Sequence, residues 1–186
     1  MAAEERPYNQ RRLRLMASLL KEGTLLDVGC TERSLVGFSA GSEYVGLDLR
    51  KGDVIASAEA LPFRGESFDS VGCGEVIEHL RDPQSCIDEI RRVLKGDGTA
   101  VVTTPNLGTL FHGASFLDNP GHINCMEYPR LVSMLGGFRE VRRHGFDIFL
   151  EPPLHGWASA VPYPLRRALA QRLLPLEKIL VVELHK

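Results

Sequence analysis

Nowhere in the chain do apolar residues run on for the roughly 20 positions that a bilayer crossing requires. The N-terminal stretch MAAEERPYNQRRLRLM opens with two acids and lacks a continuous apolar core of signal-peptide length. A soluble, cytoplasmic protein without integral membrane association is expected. Cysteine is scarce too: Cys30, Cys73, Cys86 and Cys125 form no Cys-x-x-Cys pair, which argues against a disulfide framework and for a reducing compartment. An excess of one charge is also missing. With 22 Lys and Arg against 24 Asp and Glu, the net charge of −2 supplies no basic field, so nucleic acid is not an expected partner. Internal repeats and low-complexity tracts are absent. What remains is 186 residues, 44% hydrophobic and 25% charged, enough for one domain over 1–186 with a real core.

The punctuation of that domain is regular. Residues 8–21 place Leu13, Met16, Leu19 and Leu20 on one helical face and Arg11, Arg12 and Arg14 toward the others, with Gly23 closing the helix. The arginines read as solvated surface charge, with pairing to a ligand carboxylate as the alternative. TLLDVG is a short buried strand, EYVGLDL a second, DVIAS a weak third and SFDSVGCG a fourth. In RDPQSCIDEIRRVLKGDG, Asp82 is the expected N-cap, Pro83 sits in the first turn, Ile87, Ile90 and Leu94 face inward, and Gly96 is the expected stop. TAVVTTPN follows as a β-branched strand. Strand and helix alternate over 24–104, which predicts an α/β fold with a doubly wound and mostly parallel sheet. Past it come a Gly-, Asn- and His-rich loop, a short helix at EYPRLVSMLGG, a strand in FREVRRHGFDIF, a helix at PLRRALAQRLL and a last strand, KILVVELHK.

In such a sheet, ligands sit beyond the carboxyl ends of the strands, near the point where strand order reverses. Three features of the chain fall there: Asp27 to Arg33, Asp48, and CGEVIEHL. An acid closing the second strand, about 20 residues past the first, can accept hydrogen bonds from both hydroxyls of a ribose. A dinucleotide loop demands G-x-G-x-x-G, and with Gly29 first the other two glycine positions hold Thr31 and Ser34. Nothing else anchors a pyrophosphate. The expected ligand carries ribose and a base without a phosphate bridge.

LLDVGC, YVGLDL, ASAEALPFRGESFDSV, CGEVIEHLRDP, DEIRRVLKGDG and VVTTPN, in that order over roughly residues 20–150, resemble the motifs of class I S-adenosylmethionine-dependent methyltransferases, in particular the branch called methyltransferase type 11. The resemblance implies a Rossmann-like three-layer sandwich with a seven-stranded sheet whose last strand is antiparallel. It implies S-adenosyl-L-methionine as cofactor and methyl transfer to a small-molecule acceptor. Carried over by position, Asp27 and Gly29 line the methionine end, with the backbone at Cys30 and Thr31 close by. Asp48 holds the ribose, with Leu49 next to it. Ser57 stands where relatives place an acid toward the adenine amino group, and Ala58 offers a backbone N–H to the ring. Cys73 presents backbone near the methionine ammonium, Glu75 starts the following turn, and Glu78 and His79 belong to an EHL signature at the edge of the acceptor pocket.

Three positions depart from the pattern. The family loop G-x-G-x-G falls on Gly29, Thr31 and Arg33; positive φ at a non-glycine there would cost about 1 kcal/mol, so another backbone path is expected. Ser57 replaces a charged acceptor by a neutral one, roughly half as strong. These losses motivate the alternative of a catalytically degenerate module that acts through binding.

Methyl transfer from a sulfonium needs alignment more than acid catalysis, and a base only where the acceptor must lose a proton. His79 is the candidate base; the competing reading is that Glu78 and His79 organise the local turn. His112 and His122 fall in the long loop after the fifth strand and are candidate acceptor contacts. With Cys125 they spell H-x9-H-x2-C, which matches no compact zinc spacing, so no metal is expected. His144, His155 and His185 read as surface or strand residues. The arginine-bearing segment around Trp157, Tyr163 and Arg166 reads as a helix packed on the sheet rather than on a lipid surface.

Overall fold

A computed structural model of the chain describes residues 2–31, 35–38, 43–108, 119–146, 160–162, 164–165 and 179–186, with residues 2–8 described as backbone alone. Helix α1 (Ala2–Leu19) leads into β1 (Thr24–Val28), β2 (Glu43–Asp48), β3 (Val54–Ile55) and β4 (Phe68–Gly74). A 3-10 turn at Ile77–His79 precedes α2 (Pro83–Val93) and β5 (Leu94–Pro105), followed by α3 (Tyr128–Met134), β6 (Glu140–His144) and β7 (Ile179–His185). The seven strands form one sheet in the order β3-β2-β1-β4-β5-β7-β6. β1 to β5 pair in parallel, and β7 runs antiparallel to both β5 and β6. The α/β class and the antiparallel last strand agree with expectation. Strand order reverses between β1 and β4, which places the switch point at their carboxyl ends.

The two faces of the sheet explain its unbroken apolar strands. Successive side chains point to opposite sides. Leu26, Val102 and Val182 therefore pack with Ile87 and Ile90 of α2, while Leu25, Val101 and Val181 pack with Leu15 and Met16 of α1. A parallel sheet covered by a helical layer on each face needs hydrophobic residues at both parities. Among the described residues, no helix is long and apolar enough to cross a membrane.

Three boundaries differ from expectation. Helix α1 begins at Ala2, six residues ahead of the predicted start, and ends at Leu19. Helix α2 is capped as predicted, with Asp82 accepting from the Ser85 amide and Pro83 in the first turn, but it stops at Val93 rather than at Gly96. Leu94 turns extended, fully buried, and pairs with Phe68 of β4, so a tertiary contact ends the helix before the glycine is reached. The helix predicted at PLRRALAQRLL lies almost wholly outside the described residues; of it, Pro164 and Leu165 are helical.

One polar clamp joins the amino ends of the central strands. Asp69 accepts from the Thr24 amide at 2.9 Å, the Thr24 hydroxyl at 2.7 Å and Lys95 Nζ at 2.8 Å. The Lys95 hydrogen bond, first, and those from Thr24 hold its carboxyl far below the usual range. A depressed folded-state pKa gives stability that is complete above the unfolded value near pH 4 and is lost as pH falls through the folded one. Asp69→Asn is expected to cost about 1–2 kcal/mol at pH 7, discounted for partial exposure. In urea titrations the gap between variant and parent narrows as pH drops from 6 toward 2; a gap of constant size would contradict this role.

Candidate active site

The carboxyl end of β1 is built around one glycine. Gly29 has φ +74°, and a Cβ there would overlap Val76 Cγ2, so glycine is required both by conformation and by space. The Gly29 and Cys30 amides donate to Leu47 O at 2.7 and 3.1 Å, tying this loop to β2. Asp27, buried at the strand end, accepts from the Leu35 amide at 3.0 Å and from Tyr44 Oη at 2.7 Å. Its carboxylate thus folds the far side of the loop back onto the strand. Cys30 is buried, and burial first, then Asp27 and Asp48, push its thiol up; it is not a thiolate nucleophile.

At the end of β2, Asp48 Oδ1 accepts from the Arg50 and Lys51 amides at 2.8 and 3.3 Å, which fixes the carboxylate at the sheet edge. Leu49 and Ile55 stand beside it, 67% and 59% exposed. Apolar side chains left in water next to an oriented acid make a surface suited to a ligand with a hydroxylated and a flat apolar part. Ser57 Oγ accepts from the Glu59 amide at 3.1 Å, and Ala58 is buried.

The third wall follows β4. Cys73 is fully buried with Cys86, and its thiol is pushed up by that neighbour and by burial, so only its backbone can reach a ligand. Glu75 takes φ +58°, one of two non-glycine residues with positive φ among the described residues, and its amide donates to Thr103 O at 3.0 Å. Strain of this kind collects at sites where the surroundings over-determine the backbone. Arg12 of α1 is buried here: Nη1 donates to Thr103 Oγ1 at 3.0 Å, and that hydroxyl donates to Glu75 Oε1 at 3.1 Å. Gly74 leaves the room, since a Cβ there would press on the guanidinium.

Glu78 lies deeper still, with no exposed surface; Oε2 accepts from Thr104 Oγ1 at 3.1 Å, and Oε1 has no hydrogen-bond partner among the described residues. Burial, and then the charge of Glu75, push its carboxyl up to about 8 against the pull of Thr104 and Arg12. His79, next in sequence, is exposed. Its Nδ1 lies 2.8 Å from Gly121 O; a carbonyl can only accept, so Nδ1 carries the proton and Nε2 the lone pair of the neutral ring. The His122 ring stands 4.8 Å from that of His79, at 66°. Asn124 holds its segment on the turn, its amide to Glu78 O at 2.9 Å and its side chain to Leu80 O at 2.6 Å.

The model of the methyltransferase domain called Methyltransf_11 matches residues 26–102, the span from β1 into β5 that carries all three walls. A probable S-adenosylmethionine-dependent methyltransferase of Mycobacterium tuberculosis is 35% identical over 123 residues, covering 62% of this chain and 44% of the relative. A ubiquinone biosynthesis O-methyltransferase of Ruegeria sp. is 32% identical over 101 residues, 44% of this chain and 41% of that one. The crystal structure of a SAM-dependent methyltransferase from Archaeoglobus fulgidus superposes over 97% of this chain and 94% of its own at a TM-score of 0.71 and 19% identity, a likeness of fold. Residues 26–102 thus match the methyltransferase-domain family, and the chain shares the fold of the solved SAM-dependent methyltransferase. This chain spans less than half the length of these two curated relatives.

Thr31 stands where the family loop has its second glycine. Its φ is not positive, and its hydroxyl points back to Gly29 O at 3.4 Å, so the missing second glycine brings no backbone strain. Arg33 and Ser34 lie outside the described residues, as does His112. The residues expected at the cofactor (Asp27, Gly29, Cys30, Thr31, Asp48, Leu49, Ser57, Ala58, Cys73 and Glu75) all fall on loops or ends at the carboxyl edge of β1 to β4. Glu78, His79 and His122 come together, although Glu78 is sealed beneath the pocket edge rather than open to it.

One expectation is corrected. Arg12 is not surface charge: Leu15 and Met16 are buried on the same helical face, at the i+3 and i+4 spacing that could have exposed the error. His144 and His185 stand on β6 and β7, as expected of strand residues, and their Nε2 atoms meet the two oxygens of buried Glu183 at 2.6 and 2.8 Å. Thr103 and Thr104, which satisfy Glu75 and Glu78, also went unread, and two adjacent buried threonines in a valine-rich strand are the signal for them.

Proposed function

We propose that this chain, as one domain over 1–186, binds S-adenosylmethionine and transfers its methyl group to a small-molecule acceptor by in-line displacement. The observation that carries the reading is Asp48, oriented by two backbone amides at the end of β2, beside exposed Leu49 and Ile55 and next to the Gly29 turn. Asp48 would accept from the ribose hydroxyls, and Leu49 and Ile55 would cover the adenine face. The backbone at Gly29, Cys30 and Cys73 lines the methionine end, with Ser57 and Ala58 toward the ring. When bound, the cofactor supplies a methyl group on a cationic sulfonium with a neutral thioether as leaving group.

The chain contributes field and alignment. Asp27, Asp48 and Glu75 lie around the carboxyl edge, and their negative potential suits a ligand with a sulfonium and an ammonium. His79 Nε2, held by the Nδ1–H bond to Gly121 O, is placed to take a proton from an acceptor hydroxyl. An oxygen acceptor is the first to test, since the Ruegeria relative is an O-methyltransferase by name.

Calorimetric titration of cofactor-free protein is expected to give micromolar binding of S-adenosylmethionine and S-adenosylhomocysteine. Affinities no tighter than millimolar for both would remove the enzyme reading and leave a non-catalytic module. Acceptors are then found by following S-adenosylhomocysteine formation over a panel of phenols, amines and carboxylates.

A further inference from the structure

We propose that Glu78, His79 and His122 form a binding site for a divalent transition-metal ion of the zinc class, open toward the acceptor side of the cleft. A carboxylate oxygen of Glu78 and one ring nitrogen from each histidine all lie within 4.8 Å of one another. Ligands around tetrahedral zinc are separated by about 3.4 Å, from metal–nitrogen bonds of about 2.0–2.1 Å. The set closes to that spacing with movements of about 1 Å per side chain.

Three independent details favour a metal over a chance cluster. First, the hydrogen bond from His79 Nδ1–H to Gly121 O fixes the tautomer that presents Nε2 as a lone pair, the outer contact typical of a metal-bound imidazole. Second, Glu78 Oε1 is buried without a hydrogen-bond partner among the described residues, a cost that a cation would offset. Third, the segment bearing His122 is clamped to the turn bearing Glu78 through Asn124, so the three ligands are held by packing rather than by a free loop. Two imidazoles among three ligands select zinc, cobalt or nickel over magnesium or calcium. Exposed His79 leaves an entry path, and a three-ligand set leaves positions for water or an acceptor oxygen.

The inference concerns the same cleft as the proposed methyl transfer. With the ion bound, His79 Nε2 is a ligand, and the ion takes over the acidification of an acceptor hydroxyl. Metal binding does not depend on the cofactor, so the two readings fail separately.

Untagged protein stripped with chelator is titrated with Zn²⁺ against a chromophoric competitor, and with Co²⁺ while visible absorption is recorded. One equivalent bound with micromolar or tighter affinity, d–d bands with Co²⁺, and a higher thermal midpoint with Zn²⁺ are expected. His79→Ala and His122→Ala should each weaken binding at least tenfold, and Glu78→Gln likewise; thermal melts in chelator check that each variant folds. Absence of binding at 100-fold excess over about 1 µM protein would overturn the proposal. So would binding that survives in the double variant H79A/H122A but disappears in H144A/H185A, which would place the ion on Glu183 instead. S-adenosylhomocysteine titration of the chelated parent reports separately on the cofactor site.

Discussion

Replacing Asp48 by alanine is expected to weaken S-adenosylhomocysteine binding by about 100-fold. Two hydrogen bonds to a charged acceptor are each worth about 1.5–3 kcal/mol, and solvent competition at a half-exposed edge takes the sum to about 3 kcal/mol, near two decades in Kd. Alanine also removes the acceptor for the Arg50 and Lys51 amides, so part of any loss is structural. Asp48→Asn separates the two contributions. It keeps one oxygen for the turn amides but replaces the other by an NH2 donor and gives up the charge, and a loss of about tenfold is expected. Calorimetry at one pH compares the three proteins; equal affinity in parent and alanine variant would refute the ribose assignment.

The second large effect sits at the opening of the same cleft. Gly29→Ala places a Cβ against Val76 Cγ2 and forces an L side chain to φ +74°. The left-handed conformation costs about 1 kcal/mol, and overpacking a tight contact about 1–3 kcal/mol more. A total loss of about 2–4 kcal/mol in urea unfolding is expected, with loss of cofactor binding because β1, β2 and β4 loops meet there. Val76→Ala removes the methyl that collides. The double variant should therefore recover the steric share and keep the conformational one, with a coupling energy of about 1–2 kcal/mol. Strict additivity would mean that the β4 segment does not press on Gly29.

Much of the fold could be read in advance because its determinants are local. Buried strands show as short apolar runs between turn residues, and α2 carries its start in Asp82 and Pro83. Its end could not be read the same way: Gly96 is the better local stop, yet the pairing of Leu94 with Phe68 takes the chain into β5 first. Asp48 was legible because spacing along two parallel strands fixes which residues share an edge. The ease of Thr31 in the loop was not, since a missing glycine does not reveal which φ the backbone adopts there.

The same division runs through the site. Alternation of strand and helix, the Gly29 turn and the acid closing β2 follow from the order of residues alone, because each depends on neighbours within a few positions or on a repeat of fixed geometry. Burial of Arg12 against Thr103, the sealing of Glu78 beneath Thr104, and the meeting of His79 with His122 depend on contacts between segments 26 to 91 residues apart or joined by a docked loop. No local pattern encodes those distances. Charge and hydroxyl can be placed in an interior only where packing from three separate elements supplies their partners, and that is settled when the helix, the sheet and the loop close on one another.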